Sequence, residues 1–83
     1  MNAYIEAPRF SVYLGGGLYL GGIVYGEPIK PNHVPMDGHE KSAALAISRA
    51  DDAAIYARDA AVRVCHFARR SGLSAWLVQA VPV

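Results

Sequence analysis

Residues 13–26, YLGGGLYLGGIVYG, restrict the fold more than any other stretch of this chain. Six glycines fall within residues 15–26, and no charged residue separates them. A helix drawn through them would lose roughly 1 kcal/mol per glycine relative to alanine. Three consecutive glycines at 15–17 instead supply the backbone conformations that a tight turn requires. The runs on either side alternate in β-branched, aromatic and aliphatic residues, so the stretch reads as a β-hairpin with a three-residue loop. In that register Leu14 faces Leu18, Val12 faces Leu20 and Phe10 faces Gly22, which makes one aliphatic face. Tyr13 opposes Tyr19 on the other face, with Ile23 and Tyr25 further along it.

Two competing readings of the same glycines fail on spacing. A dinucleotide-binding loop needs G-x-G-x-x-G between a strand and a helix. Here Gly15, Gly17 and Gly21 are one residue too widely spaced, the residues after Gly17 are strand-like, and no Lys-Ser or Lys-Thr pair completes a P-loop. A membrane span needs about 20 mostly apolar residues. The uncharged run from Phe10 to Gly26 is shorter, although its two G-x-x-x-G spacings would suit packed membrane helices. No membrane span is expected.

Beyond the hairpin, residues 27–41, EPIKPNHVPMDGHEK, carry three of the five prolines and read as a long irregular loop. SAALAIS, 42–48, reads either as a short strand closed by a Ser48–Asp51 helix cap or as the start of a longer helix capped by Asp37 with Glu40, and the alternation of Leu45 and Ile47 with alanines favours the strand. From Arg49 to Arg70 the period becomes helical: Ala50, Ala53, Ala54, Ala57, Ala61, Val64, Cys65 and Ala68 share a face. So many alanines imply close approach to a sheet. Asp51 and Asp52 at one end and Arg69 and Arg70 at the other suit the helix dipole, and Gly72 suits a left-handed C-terminal cap. SAWLVQAVPV reads as a closing strand that ends at Pro82. The expected fold class is α+β. One domain spans 1–83: an N-terminal hairpin, a short third strand, one alanine-rich helix on a sheet of about four strands, and a C-terminal strand. If the last two strands are parallel, the helix is a crossover between them.

Catalytic chemistry finds little footing. His33, His39 and His66 lack the tight local spacing of zinc ligands, so no metal or other cofactor is expected. Cys65 lies on the apolar helix face as a small core residue, and His66 beside it points about 100° away. The serines have no nucleophile-elbow context. Glu27, Asp37 and Glu40 form no paired-carboxylate site that spacing can establish. The chain is therefore expected not to be an enzyme. One cysteine closes no internal disulfide, and the N-terminus carries no secretory pattern, so a cytoplasmic location is expected. A net charge of +1 is too weak a bias to argue for nucleic acid or an anionic membrane, and Asp51, Asp52 and Asp59 among Arg58, Arg63, Arg69 and Arg70 read as a solvated face and not a basic stripe.

Two features stand out from this background. Tyr13, Tyr19 and Tyr25 offer large, stiff, amphipathic surface. Ile55 and Val62, seven residues apart, fall on the otherwise charged side of the expected helix, where the 27–41 loop would cover them or leave a contact patch. In layout, the whole chain resembles small accessory proteins of phages and mobile elements, among them inhibitors of the anti-CRISPR type. The likeness transfers no binding residues. It implies a non-enzymatic protein that binds and blocks a larger bacterial defence complex in the host cytoplasm. The expected partner-binding residues are Tyr13, Tyr19, Tyr25, Ile55 and Val62, with Arg58 and Arg69 as charge anchors. The alternatives are a small nucleic-acid binder using the helix arginines and a homodimeric structural protein that covers its own open sheet face.

Overall fold

A computed structural model describes residues 8–26, 30–35 and 43–80. The chain is α+β, and its described residues form one α-helix against a six-stranded sheet. The strands are β1 (Arg9–Gly15), β2 (Leu18–Tyr25), β3 (His33–Pro35), β4 (Ala43–Ser48), β5 (Tyr56–Ala57) and β6 (Trp76–Gln79). The helix α1 (Arg58–Arg70) lies between β5 and β6 in sequence. Every strand pairing is antiparallel.

The hairpin forms as the triple glycine requires. Gly15, Gly16 and Gly17 all have positive φ, and Tyr13 pairs with Tyr19. The register shifts between Tyr13 and Gly15, so Gly15 pairs with Leu18 and only Gly16 and Gly17 form the turn. The expected Val12–Leu20 and Phe10–Gly22 pairs do not form, because β2 leaves β1 after Tyr19. Tyr13 has Tyr19 of β2 on one side and Trp76 of β6 on the other. Phe10 has Tyr56 of β5 and Gln79 of β6. A strand has two edges, so β2 and β5 lie end to end along one edge of β1 and β6 runs along the other. The break between β2 and β5 is bridged where the Ala54 N–H donates to the Leu20 carbonyl at 2.9 Å.

A bulge in β2 accounts for its departure and also reverses its faces. Leu20 pairs with Ile47, but Gly22, not Gly21, pairs with Ala46. Directly paired residues share a face, and alternation places Leu45 and Ile47 on one face of β4. Leu20, Ile23 and Tyr25 therefore lie together, although an unbroken strand would set Leu20 opposite the other two. The expectation that Ile23 and Tyr25 continue the Tyr13–Tyr19 face is corrected by this extra residue. Gly21 is suited to the position, since a Cβ there would stand 3.0 Å from both Cβ and Oγ of Ser48.

The helix is shorter than its period suggests. Residues 50–52 form a single 3₁₀ turn and 56–57 a strand, and α1 starts only at Arg58. No Ser48–Asp51 cap exists: Ser48 Oγ contacts the Arg49 carbonyl, and neither helical segment has a side-chain cap. Tertiary contacts override alanine's helical preference here, because Tyr56 pairs with Phe10 and packs on the core. Within α1 the apolar period holds, with Ala61, Val64, Cys65 and Ala68 buried one turn apart. Gly72 (φ 90°) ends the helix as expected. Its N–H donates to Arg69 O and that of Leu73 to Ala68 O, the paired bonds of a Schellman cap.

Core side chains Val12, Leu20, Leu45, Val64 and Ala68 meet between one sheet face and α1, and Val12 and Leu20 are fully buried. Both β5 and β6 run antiparallel to β1, so they are parallel to each other with β1 between them. The helix is a crossover between these two, and β4, which pairs with β2 and β3, is neither adjacent nor parallel to β6. Six strands replace the expected four, because Tyr56–Ala57 and His33–Pro35 each add a short one. The latter lies within the expected 27–41 loop. The rest of that loop (27–29 and 36–41) and Pro82 lie outside the described residues.

Candidate functional site

Among the described residues, α1 contacts β1, β5 and β6 and packs on the face that carries Val12, which leaves the other face of that part of the sheet without an α-helix, bordered by the 3₁₀ turn at 50–52. Alternation along β1 turns Ser11, which is buried, and Tyr13, which is half-buried, toward this face, away from Val12. Their partners Val78 and Trp76 on β6 lie on the same face. Tyr19, opposite Tyr13, completes an aromatic platform. The Tyr13 and Tyr19 ring centroids are 5.0 Å apart, and those of Tyr13 and Trp76 5.9 Å.

Backbone geometry explains why the tyrosines lie so close. The Ala80 N–H donates to the Arg9 carbonyl at 2.8 Å, in line with the β1–β6 register. Bonding alternates along an antiparallel ladder, so Arg9, Ser11 and Tyr13 direct their backbone groups toward β6. On the β2 side, Tyr13 and Tyr19 then form a non-hydrogen-bonded pair, the kind with the closer side chains. The Tyr13 hydroxyl accepts a bond from the Gly17 N–H at 3.1 Å, which ties the ring to the turn. Trp76 packs its ring edge over Gly15, where an added Cβ would touch it at 3.5 Å. Half of Trp76 stays exposed (49%).

Beside the platform lies an open groove of about 550 Å³, lined by Ser11, Tyr19, Ala53, Ile55, Val78 and Gln79 among others. Ile55 is 53% exposed on its wall. The site therefore consists of three clustered aromatic rings and a mainly apolar groove, held on paired strands.

The seven residues singled out in the sequence divide between two sides. Tyr13, Tyr19 and Ile55 come together on the open face. Ile55 arrives there because it precedes α1 in extended backbone, not because it shares a helical face with Val62, which is half-buried on α1. The expected Ile55–Val62 patch is thus replaced. Tyr25 lies on the face shared with Leu20 and Leu45, 68% exposed. Its phenol is near enough to Tyr56 to add to the main effect of burial, and together they raise the Tyr56 pKa above its ordinary 10.0. Arg58 opens α1, and Arg69 donates from Nε and Nη2 to the Ala75 carbonyl at 3.0 and 2.7 Å. Arg69 thereby fastens the turn that leads into β6. Arg70 lies over the Phe67 ring at 4.9 Å.

Trp76 was missed by sequence reasoning. The alternation in SAWLVQ sets Trp76 and Val78 on one face and Leu77 on the other, and that signal could have raised it. Among the described residues, no group of three or more His, Cys, Asp or Glu side chains is placed to hold a metal ion. Cys65 is buried in the core and His66 is exposed on α1. His39, Glu27, Asp37 and Glu40 lie outside the described residues. No described helix is long and apolar enough to cross a membrane. The chain matches no family model, no curated protein and no solved structure.

Proposed function

We propose that this chain is a non-enzymatic protein-binding module, located in the cytoplasm, that acts by occupying a surface of a larger protein assembly. The observation that supports this reading is the aromatic platform of Tyr13, Tyr19 and Trp76 beside an apolar groove, on the sheet face that α1 does not cover. Tyrosine and tryptophan held on rigid strands are the residue types that dominate binding energy at protein interfaces. They lose little conformational freedom on docking, and each combines apolar area with one polar group. Inhibition of a bacterial defence complex, suggested by the chain's layout, is the biological form that we assign to this binding.

The test is comparative capture from a bacterial lysate that contains the candidate complex, with wild type, Trp76→Ala, Tyr19→Ala and Arg63→Ala chains of equal thermal stability. One retained protein should be lost with both aromatic variants and kept with Arg63→Ala. For that protein, purified, Trp76→Ala should weaken binding about 30-fold or more, as expected for an anchor worth about 2 kcal/mol. Retention of the same protein by all four chains would overturn the reading. Loss only with the arginine variant, with strong salt dependence, would favour nucleic-acid binding instead.

A further inference from the structure

Among the described residues the sheet ends on three edge strands, β3, β5 and β6. The edge at β5 is only two residues long, and the other two edges differ chemically. At β3, the Ile47 N–H donates to the Asn32 carbonyl at 2.9 Å, which extends the β3–β4 register by one pair. Alternation then turns the backbone groups of Asn32 and Val34 toward β4 and those of His33 and Pro35 outward. The outward His33 N–H is already taken by the Lys30 carbonyl at 2.9 Å, and Pro35 has no N–H. This edge offers no free donor to an incoming strand.

At β6 the same alternation gives the opposite result. Trp76, Val78 and Ala80 turn their backbone groups toward β1, so Leu77 and Gln79 turn theirs outward. Among the described residues, no strand pairs with that edge. The strand Trp76–Gln79 contains no charge, no proline and no bulge, the usual devices that keep an edge from pairing.

We infer that β6 pairs with β6 of a second copy of this chain, antiparallel about Val78, and so joins the two six-stranded sheets into one. The strand is self-complementary in this register. Leu77 of each copy exchanges both backbone bonds with Gln79 of the other, so every outward group of the two residues is satisfied. Trp76, the largest side chain, falls opposite Ala80, one of the smallest. Val78 meets its own copy on the two-fold axis. No like charges oppose each other along the strands, and a net charge of +1 per chain adds little repulsion at longer range. The shared open face then carries two aromatic platforms flanking a Val78 pair. Pairing of this kind does not depend on the proposed function, since it forms with or without a third protein.

Sedimentation equilibrium of the purified chain tests this. At micromolar concentrations the wild type should show a species of twice the 8.9 kDa chain mass. Gln79→Pro removes an outward N–H without touching any bond to β1, and should weaken dimerisation at least about tenfold while the circular dichroism spectrum is kept. A wild type that sediments as a monomer throughout would overturn the inference, as would a Gln79→Pro chain that is folded and equally dimeric. Should Gln79→Pro not fold, Val78→Cys decides. The axis pair is non-hydrogen-bonded and close enough for a disulfide, so this variant should cross-link between chains under mild oxidation, whereas Leu77→Cys should not. Equal cross-linking of both would contradict the register.

Discussion

At the residue scale, several side chains hold structure together in ways that their surface position conceals. Arg69 is exposed, yet two of its nitrogens hold the Ala75 carbonyl where the chain enters β6. Arg69→Ala should therefore destabilise the fold by about 1 kcal/mol, measured by urea unfolding, whereas Arg63→Ala should be close to neutral. Tyr56 gives a pH signature. Burial first, and the Tyr25 phenol second, raise its pKa in the folded chain above the ordinary 10.0. The folded state then holds the phenolic proton more tightly than the unfolded state does. The stabilisation is fully present below about pH 10 and is lost as pH rises from there through the folded pKa. Thermal melts between about pH 9 and pH 11 should show this decline, and Tyr56→Phe should flatten it.

At the element scale, the bulge at Gly21 and the cap at Gly72 set where strands and helix go. Gly21→Ala places a methyl group 3.0 Å from Ser48 Cβ and Oγ. It should cost about 1–2 kcal/mol, and Ser48→Gly on the same chain should recover most of that loss. Denaturant titration of the single and double variants measures the coupling. The hairpin was legible because turn glycines and alternation both pointed to it. The Schellman cap was legible because Gly72 follows a helical period that ends in two arginines. The reversal at Gly21 was not, since a glycine inside a strand-like run signals equally a bulge or a flat, weak strand. Residues 50–57 misled for a related reason: alanine satisfies a helical face without requiring a helix. Only the Tyr56–Phe10 pairing and the Ala54–Leu20 bond, both long-range, make this segment extended.

At the scale of the whole molecule, one helix covers one side of a sheet whose other side presents aromatic rings. Half of the candidate site was readable from the chain: Tyr13 and Tyr19 follow from the hairpin register alone. Trp76 and Ile55 join them only because β6 and the 50–55 segment flank β1 and β2, and such neighbourhoods depend on topology that no local pattern encodes. Trp76 is the sole tryptophan, so its fluorescence reports on this face and nothing else. The central claim is that the face lies open in the free chain and closes on a protein partner. Acrylamide quenching of Trp76 emission tests that claim most directly. The free chain should be quenched readily, in keeping with a half-exposed indole, and the bound chain should be shielded with its emission shifted to the blue. A free chain whose tryptophan resists quenching, or a complex that leaves it as accessible as before, would contradict the account.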